Sequence, residues 1–467
     1  MIQKISLILL FLGCSFLVLW QLGANFLTHW DEAWYAEVSR NMVYTGNLFS
    51  PVWNTHLFFE KPPLYFWLTA VWFNIFGISE FSIRLTSAIS AISLAAVLYY
   101  FGSRLYNKTT SVLSIVILFS SPFFLYRSRT GNLDTLLVLW ITLALLSFLL
   151  GLERNKRWFI VSGLALGFGF LTKGGIGLYP LFIIVLYLLL TKNIKVMWTK
   201  WFGILNIIWL LVGAGWLLIS IHLHGNEFIQ QFFISNTEKF NFGIKSIQQF
   251  SFEYIFHLKS GLKLWFPFLG VSIAYMMFRY KNRKILLLLL FFVVFLFIMS
   301  FAYHKSSWYA LPLYPIGALL IAHALYAVSS RFKIMPMVFG GVLLLAALQV
   351  IIYRHEYVVP DIAGDESRVA LYAKQATEKN EVIYLTNYYY PSVVYYSERK
   401  IYAVYSDHEI NSAWWVFSKS KWEEILRQDN VSIITTEEEF KDLRDTFPMH
   451  TFEMKYKSGN KLFIKKI

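Results

Sequence analysis

Charge is scarce in this sequence. Only 15% of the 467 residues are Asp, Glu, Lys or Arg, whereas an ordinary soluble domain has about 25%. In their place, 57% of the residues are hydrophobic and 19% are aromatic. A soluble fold of this length could not bury that much apolar surface, whereas a lipid bilayer accommodates it. The composition therefore excludes an ordinary soluble enzyme and indicates a membrane protein.

Cysteine is nearly absent, and the common nucleotide-binding motifs are missing. The only cysteine, Cys14, lies inside the first apolar run, so an intrachain disulfide and a metal site built on cysteines are both excluded. The sequence contains no phosphate-binding P-loop and no glycine-rich dinucleotide motif. We therefore expect no chemistry at a cytosolic nucleotide site.

Long apolar runs fill the first three quarters of the chain. Runs of about 18 residues are long enough to cross the hydrocarbon core of a bilayer. We predict eleven spans, near residues 5–23, 83–106, 109–127, 131–151, 157–172, 175–191, 203–222, 262–279, 284–301, 308–328 and 335–353. The first run could be a signal peptide, but without a clear cleavage site we expect an uncleaved span. The shorter apolar segment 64–77 predicts a helix in the membrane interface.

The few charges are unevenly distributed. Residues 1–354 contain 27 basic and 10 acidic residues, a net charge of +17, whereas residues 355–467 contain 15 basic and 18 acidic residues, so the +14 of the whole chain comes from the first part. The basic residues lie largely in short loops, which indicates membrane orientation and not a nucleic-acid partner. With the N-terminus inside, nine of the ten acids lie on the outer side. Because acids follow no strong orientation rule and are costly at a membrane, this clustering predicts a functional site on the extracytoplasmic face.

The spans leave two long outer loops and a polar tail. The loops, residues 24–82 and 223–261, are rich in aromatic residues, and we expect helices along the membrane surface. Residues 1–354 form the predicted transmembrane domain, and residues 355–467 a soluble extracytoplasmic α/β domain. In this domain we predict strands at 382–386, 401–405, 413–417 and 431–435, helices at 366–378, 419–428 and 437–445, and a hairpin at 450–466.

Two clusters near the start of the chain are candidates for chemistry. Asp31 and Glu32 follow the first span, and Asp31 suits a helix N-cap as well as it suits a general base or metal ligand. Glu60 and Lys61 precede a pair of prolines that fixes the start of the next helix. Lys61 suits a phosphate partner as a point charge, or it extends its side chain to the membrane surface without a catalytic role.

Further candidates stand at the outer ends of later spans. Asp134 follows Arg127 and Arg129, and it suits either a helix cap or an active site. Lys173 precedes two glycines, and Lys305 and Tyr309 lie in a polar stretch at the start of the predicted span 308–328. No one cluster is specific. Together they place acids and bases on one side of the membrane, which suits an anionic lipid substrate and a proton acceptor.

The ordered set of motifs resembles a known family. The matching residues are Asp31-Glu32, Glu60-Lys61-Pro62-Pro63-Leu64 with Tyr65 and Trp67, Arg84-Leu85 with Ser87-Ala88, Asn132 and Asp134, and Thr172-Lys173-Gly174. This set is similar to that of the membrane glycosyltransferases of the dolichyl-phosphate-mannose–protein mannosyltransferase superfamily. The nearest resemblance is to the bacterial transferases of 4-amino-4-deoxy-L-arabinose to lipid A. It covers most of residues 1–354.

The resemblance implies a fold and a reaction. The fold would be an all-α polytopic GT-C body of about 11–13 transmembrane helices in the inner membrane, with the small α/β domain outside. The donor would be a sugar on a polyprenyl phosphate, transferred with inversion on the extracytoplasmic face. Asp31 would be the catalytic base, with Asp134 as partner or alternative, and Glu32 and Arg84 would belong to the matched motifs. The donor phosphate would be bound by Lys61, Lys173, Lys305 and Tyr309.

The resemblance also bears on a metal. Glu60 matches a carboxylate that can bind a divalent metal in the lipid A-modifying members. A histidine joins that site in those members, and Asn236 stands at the corresponding place here. Asn is a weak ligand for zinc and an acceptable one for harder cations. A divalent metal is therefore compatible with the sequence, and zinc is disfavoured.

Two other classes of protein remain open. A transporter or flippase of a lipid-linked sugar would have as many spans, but transporters usually place ionisable residues near the midplane and contain repeats. The other class is an inactive sensor that binds a lipid-linked sugar, and the presence of Asp31, Glu60, Lys61 and Asp134 argues against it. Within the enzyme class the acceptor stays open among lipid A, another envelope glycan or lipid, and a protein hydroxyl. The sequence does not predict an oligomeric state.

Overall fold

A computed structural model describes residues 2–28, 30–234, 250–278, 283–302, 305–386, 390–404 and 419–467. The chain forms two compact units. The helical unit comprises residues 1–22, 59–68 and 84–359, and the mixed unit comprises residues 23–58, 69–83 and 360–467. The mixed unit thus combines most of the first predicted outer loop with the C-terminal domain.

Helices dominate the described chain. The α-helices are α1 (Ile2–Leu19), α2 (Asp31–Thr45), α3 (Leu64–Phe76), α4 (Glu80–Leu105), α5 (Lys108–Phe119), α6 (Pro122–Ser128), α7 (Leu133–Glu153), α8 (Trp158–Lys173), α9 (Tyr179–Leu190), α10 (Lys200–Ile229), α11 (Glu253–Leu262), α12 (Phe266–Met277), α13 (Arg283–Met299), α14 (Leu313–Phe332), α15 (Met335–Ile352), α16 (Gly364–Ala376), α17 (Pro391–Ser397), α18 (Trp422–Leu426) and α19 (Glu437–Thr446). The apolar helices among them belong mainly to the helical unit.

The chain is a multi-pass membrane protein. Six helical stretches of the described residues are long and apolar enough to cross a membrane, namely Glu80–Leu105, Leu133–Glu153, Trp158–Leu190, Lys200–Phe233, Leu313–Phe332 and Met335–Ile352. A seventh span results if α5 and α6, bent by 77° relative to each other, count as one. The other predicted spans correspond to shorter helices, such as α12 and α13, so the total of eleven stays a prediction.

The packing of the helical unit places α7 at its centre. In the apolar windows of the spans, 83% of the α7 residues are buried inside the protein, against 22% for the span that begins at Lys200 and 17% for α15. The latter two spans expose leucines and isoleucines that would contact lipid. Because lipid gives little hydrophobic drive for helix association, close packing is the main cause of cohesion in such a unit.

Small residues permit the closest helix contacts. A Cβ added at Gly177 would lie 2.0 Å from the carbonyl carbon of Gly169, so only glycine fits there. The 3₁₀ turn at Gly174–Leu178, which separates α8 from α9, thereby folds back against α8. This turn fixes the position of Lys173 at the end of α8.

The bend between α5 and α6 is held by buried hydrogen bonds. The Ser120 carbonyl accepts from Gln349 Nε2 at 2.7 Å and from the Tyr357 hydroxyl at 3.1 Å. The Ser120 hydroxyl accepts from Trp265 Nε1 at 2.9 Å. Pro122 starts α6 without a backbone donor, so the chain can turn there at low cost. The bend directs α6, which carries Arg127, toward α7.

The mixed unit contains a small hairpin and a six-stranded sheet. The strands are β1 (Val52–Trp53), β2 (His56–Leu57), β3 (Val382–Thr386), β4 (Lys400–Val404), β5 (Lys419–Ser420), β6 (Ser432–Thr436), β7 (Phe452–Ser458) and β8 (Lys461–Lys466). The order of the sheet is β5-β4-β3-β6-β8-β7. The first four are parallel, with Ile383 opposite Ile401 and Ser432, whereas β6, β8 and β7 are antiparallel.

Most predicted elements of the C-terminal domain match the structure within a few residues. Strand 382–386 is β3, and the hairpin 450–466 is β7 with β8. The predicted strand 413–417 lies outside the described residues. Helix α17 was not predicted, because its seven residues lack an apolar period. An apolar cluster that includes Val404, Ile433 and Ile464 forms the core on one face of the sheet.

Candidate functional site

A buried carboxylate in the helical unit is held by two cations. Asp134, only 3% exposed, accepts a hydrogen bond from Arg127 Nη2 on Oδ2 at 2.8 Å and one from Lys173 Nζ on Oδ1. Each carboxylate oxygen therefore has a charged donor. Such charge-assisted bonds are about twice as strong as neutral ones. This trio, Arg127, Asp134 and Lys173, carries one net positive charge, and we call it the Asp134 cluster.

Local structure positions the Asp134 cluster. Asn132, and not Asp134, caps α7, because its side chain accepts from Thr135 N at 3.0 Å. The amide of Asn132 also donates to the carbonyl of Arg127, which connects the end of α6 to the start of α7. The alternative in which Asp134 is only a helix cap is therefore wrong, and its carboxylate is free to bind the two cations.

Aromatic rings cover the two cations. Arg127 Cζ lies 5.4 Å from the ring centre of Trp308, and Lys173 Nζ lies 4.9 Å from that of Tyr309. Both are cation–π distances. The cavity beside them, lined by Asp134, Lys173 and both rings, holds about 10 Å³. That volume has room for about one water molecule, so a phosphate would require these side chains to move.

Glu60 and Lys61 also lie in the helical unit. Lys61 Nζ is 3.9 Å from Glu60 Oε2, and Glu60 is 5% exposed. Pro62 and Pro63 separate the pair from the start of α3. Nearby in the chain, the backbone amide of Phe59 donates to Gln231 Oε1 at 3.0 Å. The segment that carries Lys61 is thus fixed against the turn that follows α10.

Two other predicted residues have structural contacts. Arg84, 1% exposed, donates to the Leu22 carbonyl at 2.9 Å, just after α1. A cation there interacts favourably with the negative end of a helix. Lys305 donates to the Ala302 carbonyl at 2.9 Å. Asn236, named above as a possible metal ligand, lies outside the described residues.

The carboxylates of Asp31 and Glu32 differ in their surroundings. Both lie in the first turn of α2, in the mixed unit. Glu32, 1% exposed, accepts a hydrogen bond from Thr28 N at 2.8 Å. Asp31 is partly buried, and in the described part of the chain no hydrogen bond or ion pair engages its carboxylate. Trp30 occupies the N-cap position, and within the described part of the chain no side-chain hydrogen bond caps α2, so the interpretation of Asp31 as a cap is wrong.

The described residues do not assemble a metal site. Among them, no group of three or more His, Cys, Asp or Glu side chains could hold an ion. Glu60 has Lys61 beside it, and a cation near a carboxylate opposes metal binding by charge repulsion. We therefore assign no step of the reaction to a metal.

Sequence reasoning missed several contacts of these segments. Arg40, 3% exposed, pairs with Glu37 on the preceding turn of α2 and donates to the Tyr395 carbonyl at 2.7 Å. Burial raises the pKa of Glu37, and the Arg40 guanidinium opposes that rise. Tyr395 lies 355 residues along the chain, so no local pattern could reveal the contact. The only available indication was the presence of three acids and an arginine within the 15 residues of α2.

Comparison with known proteins agrees with this architecture. Residues 60–223 match the family model described as dolichyl-phosphate-mannose-protein mannosyltransferase; the match includes Lys61, Asp134 and Lys173 but not Asp31. An undecaprenyl phosphate-alpha-4-amino-4-deoxy-L-arabinose arabinosyl transferase of Aeromonas hydrophila is 28% identical over 361 residues, which are 73% of this chain and 64% of that protein. The match thus spans under two thirds of that relative.

Solved structures share the fold. ArnT from Cupriavidus metallidurans, crystallised with undecaprenyl phosphate, superposes with a TM-score of 0.81 at 17% identity over 98% of both chains. The Archaeoglobus fulgidus oligosaccharyltransferase, crystallised with Zn and sulfate, gives 0.57 at 15% identity over 84% of this chain and 62% of the other. At these identities the likeness concerns the fold alone.

The fold therefore defines a polytopic GT-C membrane protein with a C-terminal α/β domain, as predicted. Together with the sequence match, it confirms the resemblance stated above. The chain has the GT-C fold, and its sequence is similar to the dolichyl-phosphate-mannose-protein mannosyltransferase family over residues 60–223 and to 4-amino-4-deoxy-L-arabinose transferases over 73% of its length.

Proposed function

We propose that this protein is an integral-membrane glycosyltransferase that moves a sugar from a polyprenyl-phosphate donor to an envelope acceptor. Transfer takes place on the extracytoplasmic face of the inner membrane, with inversion at the anomeric carbon. The match to a mannosyltransferase family and the similarity to an arabinosyl transferase support glycosyl transfer as the reaction class. The distribution of acids and bases over the predicted loops supports the orientation.

The single observation that carries the assignment of the base is the unoccupied carboxylate of Asp31. A general base needs a lone pair that can accept the proton of the acceptor hydroxyl. Among the described residues no donor binds the Asp31 carboxylate, whereas Arg127 and Lys173 occupy both oxygens of Asp134. Asp31 therefore takes the role of base, and Asp134 positions the cations that bind it.

The leaving group determines what the basic residues do. A polyprenyl phosphate has a low pKa, so its departure requires stabilisation of negative charge and not protonation. Lys61 supplies one positive charge on a fixed segment. The net positive charge of the Asp134 cluster attracts the phosphate over a longer range. Lys173 would contact the phosphate directly only if it left Asp134.

In the proposed step, Asp31 accepts the proton as the acceptor oxygen attacks the anomeric carbon. The bond from that carbon to the phosphate oxygen breaks, and the electron pair leaves with the polyprenyl phosphate. In-line attack inverts the configuration and requires that both reactants be held in a fixed orientation. The acceptor itself, whether lipid A, another glycan or lipid, or a protein hydroxyl, is not specified by these residues.

The test is release of free polyprenyl phosphate by purified protein from a panel of polyprenyl-phosphate sugars, with envelope extract as acceptor. We expect release from one donor by the wild type and loss of release in Asp31→Asn. The matched control is Asp445→Asn, which changes an exposed acid of α19 and should release at the wild-type rate. No release from any donor would contradict the proposal.

The same experiment separates an enzyme from a protein that only binds the donor. Donor binding is measured in parallel, by protection against thermal unfolding. An enzyme with Asp31 as base retains protection by the donor in Asp31→Asn while release is lost. Protection without release in the wild type would indicate a binding protein, and accumulation of donor across the membrane of vesicles would indicate a transporter.

A further inference from the structure

Helix α17 of the C-terminal domain contacts the segment that carries Asp31. Tyr396 on this helix is 6% exposed. Its hydroxyl accepts a hydrogen bond from the backbone amide of Leu27 at 2.8 Å and donates one to Glu80 Oε1 at 2.8 Å. Leu27 lies four residues before Asp31, and Glu80 is the first residue of α4. One hydroxyl thus joins both ends of the first loop.

A second set of contacts joins α17 to α2 itself. Arg40 donates to the Tyr395 carbonyl at 2.7 Å and lies 4.7 Å from the centre of the Tyr395 ring. It also lies 3.3 Å from the carboxylate of Glu398, which pairs with Lys374 at 2.7 Å. These groups lie within the mixed unit. The buried face of α2 is therefore attached to the C-terminal domain by charge-assisted bonds.

A third contact fixes the loop after α2. Asn54 Nδ2 donates to the Ile401 carbonyl at 2.8 Å, and its Oδ1 accepts from Ile401 N at 3.1 Å. Asn54 is 4% exposed, so both bonds are shielded from water. The Asn54 side chain thereby binds both the backbone N–H and the backbone carbonyl of Ile401 in β4.

The start of α2 depends on these contacts because it lacks the usual local one. Among the residues that the structure describes, no side chain forms a capping hydrogen bond at the start of the helix. Two other hydrogen bonds fix this segment: the Glu32 carboxylate accepts from the amide of Thr28, and the Tyr396 hydroxyl accepts from the amide of Leu27. Two residues therefore set the position of Asp31. One is Glu32, its neighbour in α2, and the other is Tyr396, which lies 365 positions later in the chain.

We propose that Tyr396 is a positioning residue for the transfer reaction, through which the C-terminal domain holds Asp31 in its productive place. The proposal rests on the proposed function, in which Asp31 is the base. It assigns a role to the C-terminal domain that does not require contact with either substrate. Tyr396 acts through Leu27 and Glu80 and touches no reacting atom.

The variant Tyr396→Phe keeps the ring and removes both hydrogen bonds of the hydroxyl. A displacement of about 1 Å in a reacting group can cost roughly 100-fold in rate. We expect kcat to fall about 10- to 100-fold and the KM for the donor to change by less than about threefold, because donor contacts are retained. The matched control is Tyr372→Phe, whose ring stacks on Tyr456 at 4.6 Å within the same domain.

Amide hydrogen exchange provides a readout that does not depend on activity. Peptides that cover residues 24–36 should exchange faster in Tyr396→Phe than in the wild type, while peptides from β3 and β6 should not change. Tyr372→Phe should leave residues 24–36 as in the wild type. This comparison works even if no donor is accepted, so failure of the proposed function and failure of this inference are distinguishable.

Two results would overturn the inference. One is unchanged exchange over residues 24–36 in Tyr396→Phe, because the hydroxyl would then not hold that segment. The other is a kcat within about twofold of the wild type in an active enzyme, or a loss that appears equally in Tyr372→Phe, since a general loss of folding would explain it.

Discussion

The two compact units contain acidic side chains of opposite character. In the helical unit, Asp134 is buried and bound by Arg127 and Lys173. In the mixed unit, Asp31 is partly buried and has no partner among the described residues. A bound carboxylate contributes to structure and to the field around it, whereas an unbound one is available to accept a proton. The sequence presents Asp31 and Asp134 as alternative catalytic bases. Their contacts favour a structural role for Asp134 and a chemical role for Asp31.

The largest expected effect concerns Asp31. A general base contributes about 10²- to 10⁴-fold to a rate, so Asp31→Asn should lower kcat by roughly that factor. Because the carboxylate has no partner to lose, we expect the free energy of unfolding to change by less than about 0.5 kcal/mol. Release of polyprenyl phosphate tests the expected fall in kcat, and thermal unfolding in detergent tests the unchanged stability. Both are measured on the same preparation.

The opposite pattern is expected for Asp134. Replacement by leucine leaves Arg127 and Lys173 buried without their anion, and breaking a buried ion pair costs about 3–5 kcal/mol. We therefore expect a markedly lower unfolding temperature for Asp134→Leu, measured by thermal unfolding in detergent. Adding Lys173→Met should recover part of the loss, because one unpaired charge is removed.

Asp134→Asn makes the comparison sharper. If this variant unfolded at the wild-type temperature and lost turnover while Asp31→Asn kept it, the roles of the two residues would have to be exchanged. Retained donor protection in either variant shows that the loss is not a failure to bind the substrate.

The sequence predicted the fold well, and it named candidate site residues without their contacts. Long apolar runs and short alternating strands are local patterns, and they indicated the membrane helices and elements such as β3. The candidates Asp31, Asp134 and Lys173 followed from their type and place in the chain. What each carboxylate binds was not predictable, because Lys173 lies 39 residues from Asp134 and the α5–α6 bend brings Arg127 to it.

Long-range contacts in the mixed unit were also beyond sequence reasoning. Tyr396 binds Leu27 across 369 residues, and Asn54 binds Ile401 across 347. Such pairs depend on the folding of the C-terminal domain onto the first loop, and neither residue belongs to a periodic pattern. The composition of the chain does not indicate that the Tyr396 hydroxyl and the Asn54 amide each bind two partners.

A smaller effect tests the packing of the helical unit around Lys173. Gly177→Ala would place a methyl group 2.0 Å from the Gly169 carbonyl carbon, and overpacking of this kind costs about 1–3 kcal/mol. The control is Gly175→Ala, because a Cβ there would have no atom within 4 Å. We expect a lower unfolding temperature for the first variant only. Equal stability of both variants would mean that the turn relaxes freely.

The smallest effect tests whether the mixed unit unfolds by itself. Thr436 and Glu439 form a capping box at the start of α19, and loss of such a cap costs about 1 kcal/mol. In Thr436→Ala, Glu439 still binds Thr386 Oγ1 at 2.6 Å, so the loss should stay near that value. Thr451→Ala, at an exposed site before β7, is the control. The range of residues with faster amide exchange in Thr436→Ala then gives the answer. If faster exchange were confined to residues 360–467, the C-terminal part would unfold without the first loop.

If faster exchange extended to residues 24–36, the contacts of α17 would couple the Asp31 segment to the stability of the sheet.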